Sequence, residues 1–482
     1  MSLKIYLNKN YRQQRFCTIA QFVQDSAFCF AKNFILVEIM VLRTSQPPET
    51  LAIIKQKHNA SDKMKIKYKF ILFLLAFGQI AFGQTDLEKK IKELSKQHQF
   101  IKMDSLNNKV KGKDYYFYKG LFANVCNNPK LSNEYLDSLK NNLIINSYEF
   151  IRLKNDNYVK TFNYELAYLT SKTLTTKFKK QFTKDELNEE INAQRIWESL
   201  KGKNGQSIVD FSSITLPTKR DKAGLITTSV SANGTTSDFV FDTGAGISCV
   251  TESAAKKMGI TVLPDNAIFV ESFTGQKNKV LIGIAPEIKL GELIIHNTLF
   301  LVYPDVAFTF ADGAYVINGI IGFPIAKELG TITIEKDKLS FTKNEKTDQN
   351  EKNFFVDQLR AIVMLTYKGN TFPCNFDSGA KTSEFNKSFY EAFKSYIDKV
   401  GNLEKSKSSG AGGQEVTSEV LVLKDEELLI DKTIIKMQKI EVNPHSFGVY
   451  GKVNYGNIGQ DVIGQFKKVT LSFDQNYLKL EN

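Results

Sequence analysis

Two copies of a short acidic motif carry the residues of this chain that are best suited to chemistry. Both copies read Asp, Ser or Thr, Gly, Ala, and they comprise Asp242, Thr243, Gly244 and Ala245 in the first copy and Asp377, Ser378, Gly379 and Ala380 in the second. Two carboxyl groups that share one proton can hydrolyse an amide, because one activates a water molecule while the other polarises the carbonyl. Like charges about 3 Å apart cannot both ionise, so the pKa values belong to the pair. We therefore predict that Asp242 and Asp377 meet as a catalytic dyad that needs neither metal nor cofactor.

The sequence around the two motifs is repeated as well. Each copy has a phenylalanine before the aspartate, a serine six residues after it and a later glycine motif, which are Phe241, Ser248 and 319–322 in the first copy and Phe376, Ser383 and 456–459 in the second. The aspartate lies 80 residues before the last glycine in the first copy and 82 residues before it in the second. Chance alone gives such an acidic tripeptide about 0.2 times in a chain of this length. The repeat favours two tandem copies of one domain over the alternative that each motif is only a polar turn.

These motifs resemble those of the aspartic protease superfamily, of both the retropepsin-like and the pepsin-like type, and in particular its two-lobed, bacterial, exported members. The resemblance covers residues 206–482. It implies a mainly β fold, with two tandem retropepsin-like acid-protease β-barrel lobes in a pseudo-twofold arrangement, preceded by an α-helical N-terminal region. The implied function is that of an aspartic-type endopeptidase that hydrolyses peptide bonds by activating water.

The resemblance also implies a role for each residue of the motifs. Asp242 and Asp377 would be catalytic, and the hydroxyls of Thr243 and Ser378 would brace the two loops against each other. The glycines would allow two backbones to approach closely and would adopt turn conformations barred to side chains. The remaining supporting residues are Gly244, Ala245, Gly379 and Ala380 in the turns themselves, and Ile321, Gly322, Ile458 and Gly459, which would pack beneath them. Asn457 departs from the family pattern, which prefers an apolar residue there, so we expect weaker support for the second loop.

Members of this superfamily close a β-hairpin flap over an extended peptide. Polar, glycine-tipped turns lie between β runs at 271–276 in the first copy and at 408–413 in the second. The candidate substrate-binding residues are Phe273, Thr274, Gly275, Gly410 and Gly412. Neither turn contains the tyrosine found on pepsin flaps, and two plain surface turns are the alternative interpretation.

The spacing of apolar residues changes along the chain, and this change predicts which segments form helices and which form strands. Residues 84–200 have apolar residues at helical spacing and one proline, which predicts a helical region. After Gly205, short β-branched and aromatic runs separated by Gly, Asn, Asp and Pro predict strands. We assign the first protease lobe to 206–342, a polar linker to 343–352 and the second lobe to 353–482.

The helical region has two interpretations. Residues 84–200 carry 20 Lys and Arg against 15 Asp and Glu. By analogy with pepsin-like zymogens, a basic leader could occupy an acidic cleft as a propeptide. An accessory or partner-binding domain is the interpretation favoured by so modest a charge.

The N-terminal part of the chain has the sequence features of a targeting segment. Met64 opens a stretch with three lysines, an apolar run from Phe70 to Gly83 and a small-residue cleavage site. We expect 64–83 to be a signal peptide that contacts the membrane only transiently, and 1–63 to be an upstream extension from a misassigned start. A membrane anchor is the alternative, although the run is shorter than the roughly 20 residues that a bilayer requires. Export would deliver the protein to the periplasm or the extracellular space.

Net charge and cysteine spacing argue against several other classes of protein. The net charge of +12 falls to +4 for residues 84–482, which does not favour a nucleic-acid partner. The five cysteines form no metal-binding or disulfide spacing and lie at positions 17, 29, 126, 249 and 374. We expect a monomer whose two lobes pair within one chain and whose partner is a polypeptide substrate. A catalytically silent peptide-binding module on the same scaffold is the main alternative, and a structural envelope protein is a third.

Overall fold

The structure is a computed structural model that describes residues 86–482, except 111–113, 140–142, 265–267, 272–276, 346–351, 411–414 and 446–453. The fold is mainly β with an N-terminal helical region. The predicted extension 1–63 and signal peptide 64–83 lie outside the described residues.

Seven helices form the described part of the N-terminal region. They are α1 (86–96), α2 (Phe100–Asn107), α3 (Asp114–Val125), α4 (Pro129–Asp137), α5 (Tyr148–Lys160), α6 (Tyr164–Lys177) and α7 (Lys184–Ser199). Local sequence fixes where several of them begin. Thr183 and Glu186 form a capping box at the start of α7, and Ser147 accepts a hydrogen bond from the third residue of α5. None of the helices in the described residues is long and apolar enough to cross a membrane.

The first half of the β region builds one large sheet. Its strands and helices are β1 (Ser207–Ile208), β2 (Ser213–Pro217), β3 (Lys219–Arg220), β4 (Ile226–Ala232), β5 (Thr235–Phe241), β6 (Ser248–Thr251), α8 (Glu252–Lys257), β7 (Thr261–Val262), β8 (Ile268–Glu271), β9 (Lys277–Leu290), β10 (Leu293–Tyr303), β11 (Thr309–Phe310), β12 (Tyr315–Val316), β13 (Gly319–Ile321), α9 (Phe323–Ala326), β14 (Thr331–Glu335) and β15 (Lys338–Thr342). Ten of these strands share the sheet, whose main order is β1-β10-β6-β13-β5-β4-β9-β7.

The second half builds a sheet of eight strands with a matching order. Its elements are β16 (Phe354–Asp357), β17 (Arg360–Tyr367), β18 (Asn370–Phe376), β19 (Glu384–Phe385), α10 (Lys387–Val400), β20 (Asn402–Ser409), β21 (Glu415–Ile430), β22 (Thr433–Val442), β23 (Gly456–Ile458), α11 (Gln460–Ile463), β24 (Lys468–Ser472) and β25 (Tyr477–Glu481). The strand order is β16-β17-β18-β23-β19-β22-β21-β20. The segment β18-β23-β19-β22 corresponds to β5-β13-β6-β10 of the first half, so the sequence repeat has a structural counterpart.

A third sheet contains strands from both halves. Its order is β2-β15-β14-β24-β25, and β14 pairs antiparallel with β24 from Thr331–Ser472 to Glu335–Lys468. Buried apolar residues of both halves belong to one continuous core beneath it, among them Ile332 and Leu471. The two halves are therefore joined by backbone hydrogen bonds as well as by the polar stretch 343–352.

The helical region is attached to both halves through buried polar contacts. The fully buried Lys160 lies 2.8 Å from Asp156 and donates to the backbone carbonyl of Val356, in the second half, at 3.1 Å. Lys327, in the first half, donates to the carbonyl of Lys160 at 2.7 Å. Trp197 of α7 is buried in a cluster that includes residues of β9 and β10. Burying an ammonium group requires such compensation, so these contacts fix the helices in place.

Candidate active site

The two acidic motifs lie at equivalent ends of equivalent strands. Asp242 follows β5, and its N–H donates to the carbonyl of Ile321 on the parallel neighbour β13 at 2.9 Å. Asp377 follows β18, and its N–H donates to the carbonyl of Ile458 on β23, also at 2.9 Å. Ile321 and Ile458 are fully buried, so each aspartate leaves its strand over an apolar support.

The structure brings the two motifs into direct contact. The Asp242 and Asp377 carboxyl groups are hydrogen-bonded to each other. A methyl group built on Gly244 would overlap the Asp377 carboxyl, and one built on Gly379 would overlap the Asp242 carboxyl. Neither glycine has a positive φ. The predicted close approach is therefore present, whereas the predicted turn conformation barred to side chains is wrong. The glycines are required here because a carboxyl group of the opposite loop occupies the space of a side chain.

The hydroxyl groups of the two motifs cross between the loops. Thr243 Oγ1 donates to the carbonyl of Phe376 at 2.8 Å and accepts from the N–H of Ser378 at 3.1 Å. Ser378 Oγ donates to the carbonyl of Phe241 at 2.8 Å and accepts from the N–H of Thr243 at 3.0 Å. Both side chains are buried. Four hydrogen bonds thus hold the two loops at a fixed separation, which is the geometry that a shared proton requires.

Two serines support the loops in a way that the sequence alone did not assign. Ser248 Oγ accepts from the N–H of Gly322 at 3.1 Å, and Ser383 Oγ accepts from the N–H of Gly459 at 2.9 Å. The carbonyls of Ala245 and Ala380 accept backbone hydrogen bonds from the residues that follow these glycines, at 2.8 and 2.9 Å. The equal six-residue offset from each aspartate was the signal that could have identified both serines.

Gln460 is a further residue that connects the halves. Its Nε2 donates to the carbonyl of Ser378 at 2.6 Å, and its Oε1 accepts from Arg220 of the first half. No sequence motif distinguished either residue, because the contact joins positions 240 residues apart.

The electrostatics of the pair favour a shared proton. Burial raises the pKa of Asp242. Burial also raises the pKa of Asp377, and the neighbouring Asp242 charge raises it further. Backbone N–H groups act in the opposite direction. The N–H of Gly244 donates to Asp242 Oδ1 at 2.7 Å, and the N–H of Gly379 donates to Asp377 Oδ1 at 2.9 Å. The pKa values of both carboxyls are raised, that of Asp377 more strongly, which is the direction that a proton shared by a general acid and a general base requires.

Asn457 occupies the position where the family pattern has an apolar residue, and it contacts the dyad directly. Ile458 supplies the buried apolar contact, and Asn457 faces the opposite side of β23, where its Nδ2 donates to Asp377 Oδ2 at 3.3 Å. Glu384 lies directly across from Asn457 on β19. Burial and the neighbouring Glu441 raise the pKa of Glu384 to about 7. The second half thus presents polar groups at the dyad.

The candidate flaps are β-hairpins, but most of their tips lie outside the described residues. In the first half β8 pairs antiparallel with β9, and in the second half β20 pairs antiparallel with β21. Phe273, Thr274, Gly275 and Gly412 lie outside the described residues, and Gly410 follows β20 directly. Asn192 of α7 donates to the carbonyl of Phe269 on β8 at 2.8 Å. The helical region therefore holds the base of the first hairpin.

The described cysteines form neither a disulfide nor part of a metal site. Cys126, Cys249 and Cys374 are free thiols, and Cys249 and Cys374 are buried. Among the residues that the structure describes, no group of three or more His, Cys, Asp or Glu side chains could hold a metal ion.

One comparison with known proteins, a family model, supports the class that this geometry indicates. Residues 228–325 match a family model described as aspartyl protease. That segment runs from β4 into α9 and contains Asp242 and Gly322, and the match supports the aspartic protease superfamily. No curated protein matches the chain. Among solved structures, the chain is similar to basic 7S globulin from soybean, with 10% identity and a TM-score of 0.36 over 56% of this chain and 95% of that chain.

Proposed function

We propose that this protein is an exported, two-lobed aspartic endopeptidase that cleaves extended polypeptides. The single observation that carries the proposal is the hydrogen-bonded carboxyl pair of Asp242 and Asp377, with each carboxyl packed on the glycine of the opposite loop. One carboxylate removes a proton from water, whose oxygen attacks the carbonyl carbon of the scissile bond, while the other carboxyl donates its proton to the carbonyl oxygen. The resulting tetrahedral intermediate collapses when its hydroxyl returns a proton to the pair, the nitrogen takes a proton from the pair and the C–N bond breaks. Neither step needs a metal or a cofactor.

The two sheets would act as two lobes around this pair, with an extended peptide between the hairpins β8–β9 and β20–β21. The presence of both aspartates and both glycines favours an enzyme over a silent peptide-binding module, since loss of either aspartate would be the expected mark of a pseudo-enzyme. Export is proposed from the leader-like segment 64–83, with the periplasm or the extracellular space as the destination.

Activity is tested by incubating purified protein with a reduced, unfolded protein at several pH values between 3 and 8 and mapping new termini by mass spectrometry. We expect internal cleavages that persist in a metal chelator, because the chemistry uses only the carboxyl pair. Binding of a fluorescent peptide without cleavage at any pH would contradict the endopeptidase and support the silent module.

We propose that the helical region is a lasting accessory domain rather than a propeptide. The buried contacts of Lys160 with the Val356 carbonyl and of Lys327 with the Lys160 carbonyl support this, because separating the helical region from the two halves would remove one buried acceptor from each ammonium group.

A protease recognition sequence inserted after Gly202, in the exposed stretch 201–204, tests this proposal. After cleavage we expect the helical fragment to stay bound in size-exclusion chromatography, with peptidase activity unchanged. Protein without the insertion, treated with the same protease, is the control. Release of the fragment together with a rise in activity would identify a propeptide instead.

A further inference from the structure

Three asparagine side chains form a hydrogen-bonded chain that ends on the Asp377 carboxyl. Asn454 Nδ2 donates to Asn375 Oδ1 at 2.5 Å, and Asn375 Nδ2 donates to Asn457 Oδ1 at 2.8 Å. Asn457 Nδ2 then donates to Asp377 Oδ2 at 3.3 Å. Asn375 and Asn457 each accept from one amide and donate to the next group, Asn454 only donates, and all three amides direct their NH₂ groups along the chain toward Asp377.

The donor side of Asn457 faces Asp377 in this chain. Asn375 and Asn457 lie directly opposite each other in the parallel pair β18–β23. With the other two amides kept as they are, a reversed Asn457 would turn its oxygen toward the Asp377 carboxyl and its NH₂ group toward that of Asn375. Both contacts would be unfavourable when Asp377 is ionised, so the observed orientation suits the ionised carboxyl.

The first half has no such chain at the equivalent positions. Counting from the aspartate and from the later glycine, Asn375, Asn457 and Asn454 correspond to Val240, Ile320 and Ile317. Val240 and Ile320 are paired on β5 and β13 just as the two asparagines are paired on β18 and β23. These positions therefore give Asp242 no side-chain amide, and the two aspartates differ although their backbones are related by the repeat.

We propose that Asn457, held by Asn375 and Asn454, is a positioning residue that stabilises the ionised form of the dyad at Asp377 and thereby extends peptidase activity to lower pH. The proposal rests on the proposed endopeptidase function. A donor hydrogen-bonded to a carboxylate favours the charged form, and amides in a chain polarise one another. The amide thus partly offsets the burial that raises the pKa of the pair.

Several other titratable groups face this contact. Asp242 faces Asp377 from the opposite loop, and the pKa of the nearby Cys249 thiol is raised by burial and further by the Asp242 charge. Glu384 faces Asn457 from β19 with Glu441 next to it on β22, and the pKa of Glu384 is about 7.

Asn457→Ile tests the proposal, because it installs the residue that the first half has at this position. We expect the acidic limb of kcat/KM against pH to move up by about half to one pH unit, with the plateau rate and KM changed little. The matched control is Asn402→Ile, the same exchange at an exposed position on the edge strand β20, which should leave the limb in place. A purely structural role for Asn457 would lower the melting temperature without moving the limb.

A second measurement separates this inference from the proposed function. The ¹³C signal of the Asp377 carboxyl, assigned by its absence in Asp377→Asn, reports ionisation without any substrate. We expect its titration midpoint to rise in Asn457→Ile and in the double variant Asn375→Val with Asn457→Ile, which reproduces the apolar pair of the first half. An unchanged midpoint and an unchanged limb would overturn the inference. A raised midpoint in a protein that cleaves nothing would uphold the positioning role and refute the endopeptidase.

Discussion

Replacing either Asp242 or Asp377 by asparagine is expected to lower kcat/KM for a peptide substrate by about 10⁴-fold or more. Asparagine keeps the size of the side chain but can neither remove a proton from water nor give one to a carbonyl. The two carboxyl groups act as a unit, so the double variant should be scarcely worse than either single variant. Cleavage of a quenched fluorescent peptide, followed over the pH range of the wild type, measures the loss.

Stability measurements distinguish this loss of chemistry from loss of fold. Burial raises the pKa of both carboxyls, so the folded state binds protons more tightly than the unfolded state does. The free energy of unfolding therefore falls as pH rises from the unfolded value near 4 through the raised value. Removing one carboxyl should abolish this loss of stability at neutral pH, so Asp242→Asn should be at least as stable as the wild type there. The difference should shrink toward pH 3.

A control for the same exchange lies on β5, the strand that leads to Asp242. Asp238 is exposed on β5 and contacts Ser229 at 2.8 Å, away from the dyad. Asp238→Asn should keep the activity of the wild type. If Asp242→Asn also cleaved at the wild-type rate, the assignment of the dyad would be refuted.

The repeat explains why so much of the site could be predicted from sequence. A strand, an acidic turn and a later glycine motif are local patterns, and finding them twice implies a common structure for both copies. The crossed hydroxyl contacts of Thr243 and Ser378 follow once the two turns face each other. The helical region could also be predicted from sequence, because apolar spacing and helix caps are local signals.

What the sequence did not reveal depends on contacts between distant residues. The five-stranded sheet pairs Thr331 with Ser472, and no periodicity within one strand specifies its partner in another half. The asparagine chain is a second example. Asn457 was noticed as a departure from an apolar pattern, but its partners on neighbouring strands could not be inferred from sequence spacing. The sequence predicted that Gly244 and Gly379 allow a close approach. That the approaching group is the carboxyl of the opposite loop could be seen only in the structure.

Gly244→Ala and Gly379→Ala are expected to reduce activity by about 100-fold or more, as small displacements of catalytic groups do. Each added methyl would overlap the carboxyl group of the opposite loop, so either the dyad or the crossed hydroxyl contacts must shift. Because the aspartates remain, the loss would come from geometry alone. We also expect a lower free energy of unfolding, measured by urea denaturation.

Gly246→Ala provides the matched control within the same loop. A methyl group there would meet only the Leu359 carbonyl oxygen at 3.8 Å and its Cβ at 3.9 Å, which are ordinary van der Waals distances, and Gly246 has no positive φ. This variant should keep both activity and stability. If Gly244→Ala and Gly246→Ala had the same activity and stability, a methyl group beside Asp377 would cause no clash. The inferred close approach of the two loops in solution would then be refuted. If only Gly244→Ala and Gly379→Ala lost activity, the two loops must be in contact in the active protein, because the three atoms nearest each added methyl group belong to the carboxyl group of the opposite loop.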